Sequence, residues 1–449
     1  MSVYNFLAEK VMLPLGDIVT NRSMASQIAF LERSQWWSAE ELRAFQEERL
    51  RILIQHAWDN VPYWREVMKA RKLQPQDIRN IEDLHKLPVL TKDEFKANYP
   101  HKMMARNQQP KSYYSAQSSG STGTPIQYRI SREASGLNKA CNLRGWGWMG
   151  FRLGDKLIKV SQNKRGSFEK RLQDRINRCL LIHQTYTQEN LERFAKALQQ
   201  FKPDFLRSYP DPLLFFSSQI DRMRVQLPPL RGINTTGNTL FPEVREQAER
   251  VFGTRIFDSY SCESGANVFE CSTHECYHSS MEYGITEIVD DNGQEVPDGG
   301  KGRLLSTDLW NFATPFIRYD SKDIVVKADK PCSCGRALLP IKQILGRDND
   351  ILVTPDGQFM IAQTFTTYFK YIPSVCQFQV VQNEPDHLLF KLVVQSDYPP
   401  GQTQAIINEW THRVNGAMRV EVQLVEDIPP LPSGKLRFLI RNKDIHLNW

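Results

Sequence analysis

Apolar residues in this chain recur every three or four positions in some stretches and run in short unbroken blocks in others. Across residues 38–72 the spacing is helical (Leu42, Phe45, Leu50, Leu53, Ile54, Ala57) in charged surroundings, until Pro62 breaks it. This predicts one or two amphipathic helices. Residues 131–149, 191–200 and 243–252 carry the same period, whereas 157–160 and 256–260 are short apolar runs of the kind that form buried strands. Strands alternating with helices predict an α/β architecture.

Beyond Gly284 the pattern changes to strands and turns. A run at 285–289 is followed by the turn Asp291-Asn292-Gly293, and Gly299-Gly300-Lys301-Gly302 precedes Arg303-Leu304-Leu305. An antiparallel β subdomain is expected there. After Gly346-Arg347, strands at 378–381, 388–394 and 420–424 surround one helical stretch at 402–414, which predicts a small α+β unit. The domain division that follows is 1–346 for a large N-terminal domain and 347–449 for a small C-terminal one. Near the start, Phe6, Leu7, Val11, Met12, Leu13 and Leu15 fit a helix packed on the domain as well as one lying on a membrane surface.

Composition narrows the classes. At 449 residues the chain exceeds one compact core, and 41% hydrophobic with 24% charged residues is ordinary for a globular protein. A net charge of +6, from 57 basic and 51 acidic residues spread along the chain, mildly favours anionic small ligands. No basic run with interleaved aromatics and no base-reading zinc-finger spacing occurs, so nucleic acid is not an expected partner. No window of about 18 apolar residues offers a membrane-spanning helix, and the first 20 residues lack signal-peptide features. The cytoplasm is the expected location.

Eight cysteines are too few to staple a chain of this length, and several lie near histidines. Cys271-Ser272-Thr273-His274-Glu275-Cys276-Tyr277-His278 and Cys332-Ser333-Cys334-Gly335 offer Cys-x-x-His plus Cys-x-Cys. Cys271, His274, Cys332 and Cys334 would give three thiolates and one imidazole, a closed tetrahedral Zn²⁺ site with a structural role. Cys276 and His278 compete as ligands, so His274 against His278 stays open from sequence.

The stretch Ser118-Ser119-Gly120-Ser121-Thr122-Gly123-Thr124-Pro125 holds two glycines and four serine or threonine hydroxyls between Ser119 and Thr124. Glycines let backbone N–H groups approach a phosphate chain, and the hydroxyls add donors. It lacks the terminal Gly-Lys-Ser/Thr of a P-loop, and alone it fits a flexible surface loop equally well.

Its company decides. Val61-Pro62-Tyr63-Trp64, Leu87-Pro88-Val89-Leu90-Thr91-Lys92, the Ser/Gly/Thr loop, Thr235-Thr236-Gly237-Asn238, Asp258-Ser259-Tyr260-Ser261-Cys262-Glu263, Ile317-Arg318-Tyr319-Asp320-Ser321-Lys322-Asp323, Gly346-Arg347-Asp348-Asn349-Asp350 and Ser433-Gly434-Lys435 follow one another along nearly the whole chain. In that order they resemble the motifs of the phenylacetate–coenzyme A ligase family, with its capsule-polysaccharide and coenzyme F390 synthetase-like branch, in the adenylate-forming superfamily.

The resemblance implies that Ser119, Gly120, Ser121, Thr122, Gly123 and Thr124 grip the ATP triphosphate, Thr122 taking part in catalysis. It places Thr236, Gly237 and Asn238 against adenine with Tyr260 stacked on the base. Glu263 is implied as the Mg²⁺-linked carboxylate, Asp323 as the ribose acceptor, Arg347 as the hinge residue and Lys435 as the cation at the α-phosphate. Ser261 stands where the family has glycine, and Asn349 where an acidic residue is common.

The activity so implied is ATP-dependent activation of a carboxylic acid as acyl-adenylate, then acyl transfer, most commonly to coenzyme A. An amine acceptor, giving an amide in surface-polysaccharide or secondary-metabolite synthesis, is the alternative, and a nucleotide-binding protein without catalysis is the rival. Phe201, Phe205, Tyr209, Phe215 and Phe216 are candidates for an aromatic acid pocket or for plain core. Related ligases are often homodimers.

Overall fold

The computed structural model describes the chain apart from residues 1, 21–22, 119–125, 162–167, 184–187, 225, 263, 348–350, 356–358, 362–364, 366–367, 370–371, 373, 430–436, 443–444 and 446–449. The helix Ala39–Asn60 begins at a capping box in which Ser38 Oγ accepts from the Glu41 N–H and Glu41 Oε2 accepts from the Ser38 N–H. Pro62 does not end helical structure but starts the next helix, Pro62–Ala70, where its fixed φ and missing N–H suit the first position. Thr91 Oγ1 caps Lys92–Asn98. The inward faces of these helices, among them Leu50, Leu53, Ile54, Trp64 and Phe95, bury against Phe316, Ile317 and Tyr319.

The hairpin β1 (Tyr113–Gln117) and β2 (Gln127–Ser131) leads into the helix Arg132–Trp148. Then, among the described residues, one sheet of eleven strands organises the larger part of the chain. Its parallel side runs β4 (Cys179–His183), β3 (Leu157–Ser161), β5 (Phe205–Ser208), β6 (Gly232–Thr236) and β7 (Ile256–Ser261). Beyond β7 the sheet continues antiparallel through β8 (Asn267–Glu270), β9 (Tyr277–Ser279), β13 (Pro340–Arg347), β12 (Tyr319–Lys327), β11 (Lys301–Asp308) and β10 (Gly284–Val289). The antiparallel part expected from the turn-rich sequence therefore extends the parallel sheet.

Helices Gln188–Phe201, Pro210–Met223 and Pro242–Phe252 cover one face, packing Phe194, Leu198, Phe216 and Phe252 on Ile158, Leu206, Ile233 and Ile256. Phe205 and Phe216 are fully buried, and Phe194 stacks on Phe216 with centroids 4.3 Å apart. Phe201 and Phe215 pack against the same cluster, so four of the five aromatics considered for an acid pocket serve the core of the sheet. The helix Arg132–Trp148 packs Leu137, Ala140 and Cys141 near Phe269 and Tyr283, and its Arg144 forms a fully buried ion pair with Glu282 at 2.6 Å.

The C-terminal part begins with the hairpin β14 (Ile351–Val353) and β15 (Phe359–Ile361). A four-stranded sheet follows in the order β18 (Arg419–Leu424), β17 (His387–Val394), β16 (Val375–Gln382) and β19 (Leu439–Arg441). Ile406 and Trp410 of the helix Gln402–Arg413 fill its core, and Phe241 and Val244 of the larger part join the same cluster. No described helix is long and apolar enough to cross a membrane.

Candidate nucleotide site and cysteine cluster

Ligands of open α/β sheets bind beyond the carboxyl ends of the parallel strands. Here β6 ends at Thr236, and the chain turns through Gly237 at φ +87°, a conformation that glycine adopts without strain. Next to it, Thr235 Oγ1 donates to Asp258 Oδ1 at 2.6 Å and ties β6 to β7. Two residues further along β7, the Tyr260 hydroxyl donates to Asp323 Oδ2 at 2.6 Å. Burial and then the Asp323 charge push the Tyr260 hydroxyl well above its usual range, so it stays a neutral donor. Asp323 is buried, and backbone register sets it opposite Arg347 across β12 and β13.

Gly346, at φ +101°, closes the group: a Cβ there would meet Thr239 Oγ1 at 2.8 Å, so the end of β13 abuts the turn that carries Gly237 and Asn238. Thr236, Gly237, Asn238, Tyr260, Asp323 and Arg347 thus share one neighbourhood supplied by four strands.

Ser119, Gly120, Ser121, Thr122, Gly123 and Thr124 lie outside the described residues, as do Glu263 and Lys435. Their anchors are described. Ser118 N donates to Ile126 O at 2.9 Å and Ser118 Oγ accepts from Ile126 N at 3.0 Å, so the residues on either side of the Ser/Gly/Thr segment are tied to each other at the ends of β1 and β2. Cys262 N, next to position 263 in the chain, donates to Ala266 O at 3.0 Å. Phe438, three residues past Lys435, meets Phe241 with ring centroids 6.4 Å apart, and Phe241 lies three residues past Asn238.

A buried polar network that the sequence reading missed backs this neighbourhood. Glu270 Oε2 accepts from the Asp258 N–H at 2.7 Å, and Arg245 Nη2 donates to both Glu270 oxygens at 3.0 and 2.8 Å. His274 Nδ1 lies 3.0 Å from Glu270 Oε1. Burial alone would raise the Glu270 carboxyl, but His274 and the Arg245 guanidinium outweigh it and hold the group below its usual range. For Asp258 burial wins, pushing its carboxyl up to about 7.

With His274 committed to Glu270, His278 is the imidazole among the cysteines. Ligand atoms of Cys271, His278, Cys332 and Cys334 all lie within 4.8 Å of one another. Cys271 Sγ is 3.6 Å from Cys332 Sγ, and His278 Nε2 is 3.2 Å from Cys334 Sγ. His278 Nδ1 sits 3.3 Å from Leu338 O, which fixes its proton there and leaves the Nε2 lone pair facing the thiols. Three thiols and one oriented imidazole suit a tetrahedral ion such as Zn²⁺, whose sulfurs stand about 3.8 Å apart at Zn–S bonds of about 2.3 Å. Cys276, also buried, approaches His278 Nε2 at 3.8 Å. The cluster joins the β8–β9 turn to the β12–β13 loop, and Arg336 of that loop lies over both Trp36 and Trp148, each at 4.6 Å.

Residues 352–442 match the family model of the CapK C-terminal domain. The phenylacetate-coenzyme A ligase of Pseudomonas putida is 29% identical over 340 residues, covering 72% of this chain and 75% of that one. Protein CapK of Staphylococcus aureus is 22% identical over 416 residues, 90% of each chain. Among solved structures, 2-hydroxyisobutyryl-CoA ligase in the postadenylation state, in complex with R3-HIB-AMP, shares the fold with a TM-score of 0.72 at 19% identity, covering 92% of both chains.

Proposed function

We propose that this chain, a phenylacetate-CoA ligase-like member of the adenylate-forming enzymes, joins ATP and a carboxylic acid into an acyl-adenylate and then passes the acyl group to coenzyme A. The observation that carries this reading is the convergence of Gly237, Tyr260, Asp323 and Gly346 beyond the ends of β6 and β7. In the first step a carboxylate oxygen attacks the ATP α-phosphorus and pyrophosphate leaves. In the second the thiol sulfur attacks the acyl carbonyl, the bond to AMP breaks, and the thiol proton passes to solvent.

Tyr260 offers a ring to adenine, and Asp323 offers two acceptor oxygens to the ribose hydroxyls. Ser119, Gly120, Ser121, Thr122, Gly123 and Thr124 are assigned to the triphosphate, Glu263 to Mg²⁺, and Lys435 to the charge that develops at the α-phosphate. Residues 1–346 form the nucleotide and acid domain in this reading, and 347–449 the lid that turns about Arg347. The enzyme is assigned to the cytoplasm, where ATP is available and thiols stay reduced.

Cys271, His278, Cys332 and Cys334 are assigned to one structural Zn²⁺. Bound there, the ion would cross-link two turns and leave no coordination position for substrate. Metal analysis of the purified protein is expected to find about one zinc per chain, and well under one would refute the assignment.

The reaction is tested by following pyrophosphate across a panel of aryl and aliphatic acids with ATP, Mg²⁺ and coenzyme A. Acid-dependent pyrophosphate and AMP are expected. Formation of ADP and phosphate would overturn the reading.

A further inference from the structure

Residues 3–19 carry their amphipathicity reversed. Val3–Leu7, Ala8–Met12 and Leu13–Thr20 continue one another as helical turns that dock through polar and small side chains. Asn5 Nδ2 donates to Leu153 O and to Asp155 Oδ1, both at 2.9 Å, and the Tyr4 hydroxyl donates to Ile176 O at 2.7 Å. Ala8 is buried against Gly154, where an added Cβ would meet its methyl at 3.3 Å.

The apolar side chains point the other way. Val3, Leu7, Val11, Leu15, Ile18 and Val19 are 79, 39, 41, 56, 77 and 84% exposed. The helix Phe168–Ile176, reached by the Tyr4 hydrogen bond, exposes Phe168, Leu172 and Ile176 at intervals of four, which places them on one face. Eleven of the fifteen large apolar side chains exposed on the described surface belong to these two elements. Helices that face water put their polar side out, so this patch is built for an apolar neighbour.

Charge selects the neighbour. Lys10, Lys170, Arg171 and Arg175 are exposed around the patch. Of the carboxylates beside them, Glu9 is paired with Arg152, Asp17 accepts from the Ala25 N–H at 2.7 Å, and Asp174 shares the helix with Lys170, Arg171 and Arg175, so cations outnumber the carboxylates not paired with Arg152. A second copy docking by twofold symmetry would bring two copies of the same cation-rimmed patch together, which is repulsive. We infer that this face binds an anionic phospholipid surface, its apolar stripe entering the headgroup layer and its cations meeting lipid phosphates.

The test is co-sedimentation of the full chain with vesicles of phosphatidylglycerol and phosphatidylcholine, and with phosphatidylcholine alone. Pelleting with the anionic vesicles is expected, weakened about tenfold on neutral vesicles or in high salt. Combining L7Q, V11Q, L15Q and I18Q should weaken it about tenfold again while circular dichroism and pyrophosphate release stay unchanged. No pelleting with anionic vesicles, or equal pelleting of the fourfold variant, would overturn the inference. So would a dimer, seen by light scattering without vesicle binding, that the same four substitutions abolish, because a second copy would then own the face. Vesicle binding does not depend on the acid or acceptor, so its failure is separable from failure of the ligase reading.

Discussion

The Tyr260 hydroxyl and Asp323 Oδ2 lie 2.6 Å apart although β8, β9 and β13 stand between their strands in the sheet order. On a flat sheet four strand spacings would separate them by roughly 19 Å. Their contact shows that the antiparallel half curls back toward the ends of β6 and β7. That curl brings a carboxylate from β12 and the end of β13 to a site whose other residues come from β6 and β7.

Tyr260→Phe keeps the ring and deletes the donor. A hydrogen bond to a charged group contributes about 1.5–3 kcal/mol. The KM for ATP should therefore rise by about 10- to 150-fold, with kcat changed much less. Asp323→Ala should cost more than Tyr260→Phe in both parameters, and steady-state pyrophosphate release measures each. A larger effect from Tyr260→Phe than from Asp323→Ala would contradict the assigned roles.

His278→Ala and His274→Ala separate the two imidazoles. The first removes a group from within 4.8 Å of three thiols, and zinc content should fall well below that of the parent. The second removes the Glu270 contact and the Phe257 ring contact, neither of which involves a thiol, and zinc content should stay at the parental level. Metal analysis of both variants decides between them.

Arg144→Ala leaves Glu282 charged and buried without its partner, because both side chains are at most 1% exposed. Breaking such a pair costs about 3–5 kcal/mol. Chemical denaturation should show a loss of that order, whereas Arg43→Ala at the exposed Glu47 pair should lie near zero.

Asp308 accepts from the Trp310 and Asn311 N–H groups and from the Tyr283 hydroxyl, yet burial pushes its carboxyl from 3.8 up to about 6. The folded chain then binds this proton more tightly than the unfolded chain does. Stability from this group should fall as pH rises from about 4 to about 6 and level off above. Asp308→Asn abolishes the titration, so melting temperatures of parent and variant, compared across that window, should diverge steadily. A difference independent of pH would refute it.

Much of the fold was legible in local pattern. The helical period around Leu50 and Leu53, the cap at Thr91 and the turn at Gly293 each depend on residues within one or two turns. The choice of imidazole was not legible, because Cys271 precedes both His274 and His278 at workable spacings. The pairing of His278 with Pro340 is what brings His278 beside the cysteines, and that contact spans about sixty residues of sequence. The reversed N-terminal helix was equally hidden, since periodicity shows that two faces differ but not which one is wet. The aromatics near Phe205 looked like pocket material because composition carries no information on which layer covers them.

The strand β13 meets His278 through Pro340 at one end and faces Asp323 through Arg347 at the other. Seven residue steps, roughly 23 Å, separate the ends. It is a cantilever, with the cysteine cluster beside one end and the C-terminal part departing from the other. If the proposed zinc holds one end and the proposed lid turns at the other, a metal-starved population should still bind nucleotide but turn over slowly.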